Sequence, residues 1–260
     1  MSPSRGLWPS LLRVRRLDGE PDVVLRALRG RDRAEWEALR RANEDWLAPW
    51  EATAPGDPYG LAVRRRRFAQ LVRAYDREAQ RGSLQPFCIE VGGAIVGQMH
   101  LNGIEWGAVC SGNAGYWVAR EAAGRGIATT ALAALVDHAF LGLGLHRVAV
   151  DVRPDNGASL AVVRRLGFRE EGVRRSYMHI AGGWRDLVAF ALTVEDLGSD
   201  SLVARWNARA IRGEPVGLVP DRGDVGLGDS ETRTATGADT GADPERARLG
   251  ATDLRGGERH

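Results

Sequence analysis

The chain of 260 residues contains no lysine at all, and arginine alone supplies its strongly basic side chains. A skewed genomic base composition is sufficient cause, so this absence has no functional reading by itself. Cysteine is scarce too. Cys88 and Cys110 show no C-x-x-C spacing and no histidine-rich surroundings. That excludes the signatures of a zinc site and of a disulfide framework, and no metal is expected; a reducing cytoplasm fits. No run of about 18 apolar residues occurs, so nothing reads as a membrane span. Residues 1–12 lack the charged-then-apolar order of a secretion signal, and the expected location is cytoplasmic. No internal repeat is visible.

What is present suffices for a real core, since 43% of residues are hydrophobic. The length allows one large domain with extras, or two small ones. Residues 213–260 differ from the body. They lack aromatics, are rich in Gly, Asp, Thr, Ala and Arg, and carry ten acidic residues against six arginines. Such a segment cannot bury enough apolar surface to offset its ordering entropy, so it is expected to be a disordered tail. Four consecutive arginines at 64–67 lie on a predicted helix over 60–80. They cannot share one face, no aromatics interleave with them, and they read as solvated rather than as a nucleic-acid platform. At most they offer a basic surface for docking on an acidic partner.

The body reads as strand, helices, then strands and helices mixed. A first strand is expected over 23–28, then Asp32 as N-cap of a helix over 33–43 that carries Trp36 and Leu39 on one face. A turn-rich segment follows at 47–53. Residues 87–91 and 94–100 flank Gly92-Gly93 as a hairpin, which a strand over 114–118 continues. The pattern then predicts a helix over 126–142, a strand over 147–152, a helix over 158–166, and final strands over 175–180 and 186–193 joined by 181–184. The fold class is α/β (α+β): a mixed, mostly antiparallel twisted sheet with helices on both faces.

The most telling stretch is Ala123-Gly124-Arg125-Gly126-Ile127-Ala128, between the strand ending at Val118 and the long helix. A Gly-rich turn there bares backbone N–H groups at a helix start, where they and the helix dipole attract phosphate. Gly124 and Gly126 allow close approach, and Arg125 adds positive charge. A dinucleotide fingerprint would need a third glycine where Thr129 stands, with an acid on the next strand. Asp151 is near the expected distance for that acid, but its strand runs on into Arg153-Pro154.

Together the strings GYWV, AGRGIATTAL, LGLHRVAVDVRPDNGAS and LGFREEG, in this order and spacing, resemble the GNAT superfamily of acetyl-CoA-dependent N-acetyltransferases, and more narrowly its RimJ/RimL type. The resemblance covers residues 22–197. It leaves 1–21 as an N-terminal extension, 198–212 as a C-terminal helix or linker, and 213–260 as the tail. It implies that Ala123, Gly124, Arg125, Gly126, Ile127, Ala128 and Thr129 hold the pyrophosphate of acetyl-CoA. The family pattern Gln/Arg-x-x-Gly-x-Gly/Ala maps onto Ala123-x-x-Gly126-x-Ala128, with a departure at its first position. Pantetheine would lie beside the strand that ends at Trp117 and Val118, where it splays from 147–152. A chain without lysine offers no lysine side chain to its own acetyl-CoA.

Acetyl transfer needs a neutral amine, N–H donors for the oxyanion, and a proton for the leaving thiolate. One branch of the family places a tyrosine seven residues after the asparagine equivalent to Asn156, and here that position is Val163. The other branch places a serine three residues after it, which is Ser159. The resemblance therefore implies Asn156 as a pantetheine partner and Ser159 as proton donor, although Asn-x-x-Ser also caps a helix start. Many relatives carry an acid two residues before the Gly of GYW, where this chain has Asn113. Glu105, Asp186 and Glu51 remain as possible bases, with His100 and His138 as alternatives. Trp46, Trp50 and Glu51 on one side, with Tyr177 and Trp184 on the other, are expected to wall the acceptor groove. The resemblance implies a protein N-terminus as acceptor, of a ribosomal protein or one like it; the alternatives are a small amine such as an antibiotic or polyamine, or no acceptor if the chain is a non-catalytic acyl-CoA-binding module. A monomer or homodimer is expected.

Overall fold

The computed structural model describes residues 8–57 and 68–212. Eight strands form one sheet in the order β1-β2-β3-β4-β5-β6-β8-β7. They are β1 (Leu11–Val14), β2 (Val23–Arg26), β3 (Gln85–Val91), β4 (Ala94–Glu105), β5 (Ser111–Val118), β6 (Arg147–Val152), β7 (Arg169–Ile180) and β8 (Gly183–Thr193). All neighbours run antiparallel except β5 and β6, which are parallel. The helices are α1 (Arg33–Ala42), α2 (Glu44–Leu47), α3 (Phe68–Gln80), α4 (Ile127–Asp137), α5 (Gly157–Arg165), α6 (Val194–Leu197) and α7 (Leu202–Ile211). A mixed, mostly antiparallel sheet flanked by helices on both faces is thus what the chain forms.

Alternation along the strands sorts their side chains between two layers. Phe87, Ile89, Met99, Leu101, Ala114, Val148 and Val150 join the main core with Ile127, Leu132 and Leu135 of α4. Helix α4 is apolar nearly all round, as its place between the sheet and α7 requires. On the opposite face Leu28, Trp36, Phe68, Cys88 and Ile95 form a smaller core, with Trp117 packed against it.

Several elements depart from the expectations. Asp32 takes the N-cap position of α1, but its side chain makes no cap bond there. Its carboxylate accepts from the Arg29 N–H at 2.7 Å and pairs with the buried Arg26 guanidinium at 2.7 Å, closing the turn before the helix. Helix α4 stops at Asp137, and His138–Gly142 continues as a wider π-turn. A side chain at Gly142 would meet His138 Nδ1 at 2.7 Å, so the turn needs glycine there. Strand β7 starts at Arg169, not 175, because register shifts at Glu170/Gly172 and Arg174/Met178 break the two-residue period that sequence reading relies on. Edge strand β1 falls within 1–21 and α7 within 198–212. The arginines at 64–67 and the segment 213–260 lie outside the described residues. No helix among the described residues is long and apolar enough to cross a membrane.

Candidate active site

Parallel pairing between β5 and β6 lasts only three rungs, Ser111↔Arg147, Gly112↔Val148 and Asn113↔Ala149. Beyond them the two strands part, and the β6-facing edge of β5 from Ala114 to Val118 has no strand beside it. The gap opens toward the Gly-rich turn. Gly124 and Gly126 there have φ of 76° and 73°, a left-handed backbone that favours glycine. Gly126 is the N-cap of α4 without a side-chain cap, and the first helical bond runs from Thr130 N–H to Gly126 O at 2.9 Å. The N–H groups preceding Thr130 therefore point out of the helix start. Ala123 belongs to the preceding turn, its N–H bonded to Arg120 O at 3.2 Å. Ile127 and Thr129 are buried, while Ala128 is partly so.

Two arginines flank this turn. Arg125 is half-exposed and pairs with Glu20 at 2.6 Å. Arg16, from the extension after β1, was not foreseen. Its side chain is only 7% exposed, it pairs with Asp18, and its Nη1 has no partner among the described residues. A Cβ added at Gly126 would meet Arg16 Nη2 at 3.6 Å, so the guanidinium sits against the turn. Trp206 of α7 lies equally close and donates to Thr130 Oγ1 at 3.0 Å. No local motif announces Arg16, because the extension and the turn lie about a hundred residues apart.

On the same face of the sheet, Asn156 caps α5: its Oδ1 accepts from the Ser159 N–H at 3.0 Å. Capping thus falls to Asn156 and to the backbone of Ser159, which leaves the Ser159 hydroxyl outside the cap. That hydroxyl neighbours Tyr116, whose phenol burial pushes up to about 12. Tyr116 Oη makes no hydrogen bond of ordinary geometry among the described residues. Tyr116 is a second residue that sequence reading passed over, inside GYWV itself.

The other face holds the expected acceptor residues. Trp46 Nε1 donates to Val118 O at 3.0 Å, which ties the segment after α1 to the end of β5. Arg153 spans from the end of β6 to stack 5.0 Å from the Trp50 ring, and donates to Pro49 O at 2.7 Å. Glu51 pairs with Arg40, which also lies over Trp117 at 5.1 Å. The main chain at 51–53 bonds to the tip of the β7–β8 hairpin, with Thr53 N–H to His179 O at 2.9 Å and Ala181 N–H to Glu51 O at 3.1 Å. Tyr177 and Trp184 stand exposed on that hairpin; Tyr177 Oη accepts from Arg174 at 2.8 Å, and Trp184 packs edge-on to His179. Trp117 points to this face, its Nε1 donating to Gln98 at 3.3 Å.

The acids and histidines considered as bases are scattered. Glu105 ends β4 opposite Ser111, seven residues from Val118, or about 23 Å at the rise of a strand. Asp186 accepts from the Ser176 N–H at 2.7 Å and pins the irregular stretch of β7. His138 packs edge-on against Phe87 in the main core, where burial holds its pKa down. His100 faces Gly115 on the acceptor side, and burial lowers its pKa to about 4. A different acid stands where the strands part. The Asp151 side chain is 4% exposed, and its Oδ2 accepts from Asn113 Nδ2 at 2.7 Å and from Arg174 Nη1 at 3.2 Å. Its Oδ1 is buried without a partner among the described residues.

A RimJ from Mycobacterium smegmatis, solved in complex with CoA-disulfide, is 38% identical; the match covers 80% of this chain and 97% of that one, with a TM-score of 0.71. A ribosomal-protein-S5-alanine acetyltransferase from Vibrio fischeri is 26% identical over 67% of this chain and 94% of its own, with a TM-score of 0.56. The ribosomal protein uS5-alanine N-acetyltransferase of Escherichia coli is 26% identical over 180 residues, 67% of this chain and 89% of that protein. The family model for the acetyltransferase (GNAT) domain matches residues 22–169, and the chain belongs to this family of N-acetyltransferases.

Proposed function

We propose that this enzyme transfers the acetyl group of acetyl-CoA to the α-amino group of a protein N-terminus, of the kind ribosomal proteins present. The observation that carries the reading is the gap between β5 and β6, which meets the Gly-rich turn on one face and the 46–53 segment with the β7–β8 hairpin on the other. The turn 123–129 binds the pyrophosphate through backbone N–H groups, with Arg16 and Arg125 adding charge. The unpaired edge of β5 near Trp117 and Val118 offers N–H groups for pantetheine and the oxyanion. Ser159 gives a proton to the leaving thiolate, beside Tyr116. RimJ in complex with CoA-disulfide, at 38% identity, supports the donor, and the relative that acts on alanine of uS5 supports the acceptor.

The rim of Tyr177 and Trp184 is exposed. That suits the end of a chain, whose remainder stays in solvent, better than an enclosed small molecule. The test is a panel: acetyl-CoA with peptides starting in Ala, Ser or Met, against polyamines and aminoglycosides. Turnover confined to peptides supports the reading. Turnover confined to small amines replaces it with a small-amine enzyme. Binding of acetyl-CoA with no turnover on any amine would leave a binding module.

A further inference from the structure

We propose that Asp151 is the general base of this enzyme, presented from β6 beside Asn113 where β5 and β6 part. The inference rests on the acetyl-transfer reading above. Its first support is the face. Val148, Val150 and Val152 enter the main core with α4, so Asp151 projects to the acceptor side. Ala114 and Tyr116 of β5 likewise enter that core, and Asn113 shares the acceptor face with Asp151. The second support is position. Asn113 forms the last rung with Ala149, and Asp151 lies two residues further along β6, at the mouth of the gap.

The third support is the state of the carboxylate. Asn113 and Arg174 hold Oδ2, while Oδ1 is buried without a partner among the described residues. A buried polar atom left unpaired costs free energy and calls for an explanation. An arriving amine supplies the missing donor. The other acids are engaged elsewhere: Glu51 with Arg40, Asp186 with the Ser176 N–H, and Glu105 at the far end of the hairpin. The charged and titratable groups around Asp151 are Arg174 with Tyr177 behind it on β7, Arg147 at the start of β6, and His100 on the same face of β4.

In the step, the amine nitrogen bonds to the thioester carbonyl carbon, and the carbonyl π pair moves to oxygen. The nitrogen then carries a surplus proton, which passes to Asp151 Oδ1. As the oxyanion collapses, the C–S bond breaks and the sulfur takes a proton from Ser159. Asp151 releases its own proton to solvent, which restores the hydroxyl's, and the balance closes. The nitrogen becomes far more acidic once the C–N bond forms, so a carboxylate can take its proton. Asn113 is a positioning residue whose amide fixes the carboxylate.

The carboxylate and the amide are nearly isosteric, which allows an exchange. Asp151→Asn should lower kcat on the best acceptor of the panel by roughly 100-fold or more, with KM for acetyl-CoA and melting temperature little changed. The double variant Asn113→Asp with Asp151→Asn keeps the cross-strand hydrogen bond and moves the acid to β5. It should recover a large part of the lost kcat, whereas a merely structural Asp151 would give no such rescue. If Asp151→Asn keeps kcat within about threefold, or raises only the KM for the amine, Asp151 is not the base. If Asp151→Asn fails to fold, the double variant decides: a folded, inactive protein counts against the proposal and an active one supports it. A wild type inactive on the whole panel would sink the function and the base together; an active wild type with an active Asp151→Asn sinks only the base.

Discussion

The donor turn and the acceptor face are built on opposite plans. The turn is one continuous stretch, 123–129, in which the proposed binding groups are backbone N–H and the side chains mostly face elsewhere: Arg125 toward Glu20, Ile127 and Thr129 into the core. The acceptor face gathers side chains from α1, the 46–53 segment, β4, β5, β6, β7 and β8. Its members hold each other by contacts such as Trp46 to Val118 O and Asn113 to Asp151, across separations of 72 and 38 residues. A backbone site tolerates change of side chain but not of conformation. A side-chain site has the opposite sensitivity.

Mutations test that contrast, and the largest effect is expected at the junction of the two regions. Ser159→Ala should lower kcat by roughly 10- to 1000-fold with acetyl-CoA affinity little changed, as for loss of a positioned proton donor. Asn156 holds the α5 cap, so melting temperature should stay nearly the same. A fully active Ser159→Ala protein would move the donor role to Tyr116, since Tyr177 is on the acceptor side; Tyr116→Phe would then show the loss.

At the turn, Gly126→Val should weaken acetyl-CoA binding by about 2 kcal/mol, roughly 30-fold in Kd, because valine strains at a φ of 73° and disturbs the N–H groups. Arg125→Ala should cost well under half of that, since its charge is exposed and already paired. Calorimetry on both folded variants makes the comparison, and equal losses would show that the turn acts through its side chain. Asn156→Ala should lose about 1 kcal/mol of stability through the cap, read as a lower melting temperature. A chain ending at Arg212 should keep both activity and melting temperature; a large loss of either would show that residues beyond it take part.

The same contrast explains what the sequence disclosed. The turn, the strand before it and the helix after it are consecutive, so their glycines and periodicity were legible, as was the Gly92-Gly93 hairpin. The sheet class followed from strand and helix order. Asp151 was visible only as a doubtful ribose-binding acid, because its contact with Asn113 crosses a strand pair that no local pattern reveals. Arg16 was hidden for a similar reason, in a segment set aside as an extension. The bulges that lengthen β7 erased its alternation, and Asp32 followed the pattern of a cap while its carboxylate was claimed by Arg26. Residues whose partners are local could be read; residues whose partners arrive through the fold could not.

The three rungs between β5 and β6 have a mechanical consequence. Five strands lie on one side of that junction and three on the other. An extended ligand lying in the gap would stand in for the absent strand and lend its amides to an edge that otherwise has no ladder. Amide hydrogen exchange along Ala114 to Val118 and Val150 to Val152 should therefore slow together when the donor binds, as the two parts of the sheet lose their freedom to flex against each other.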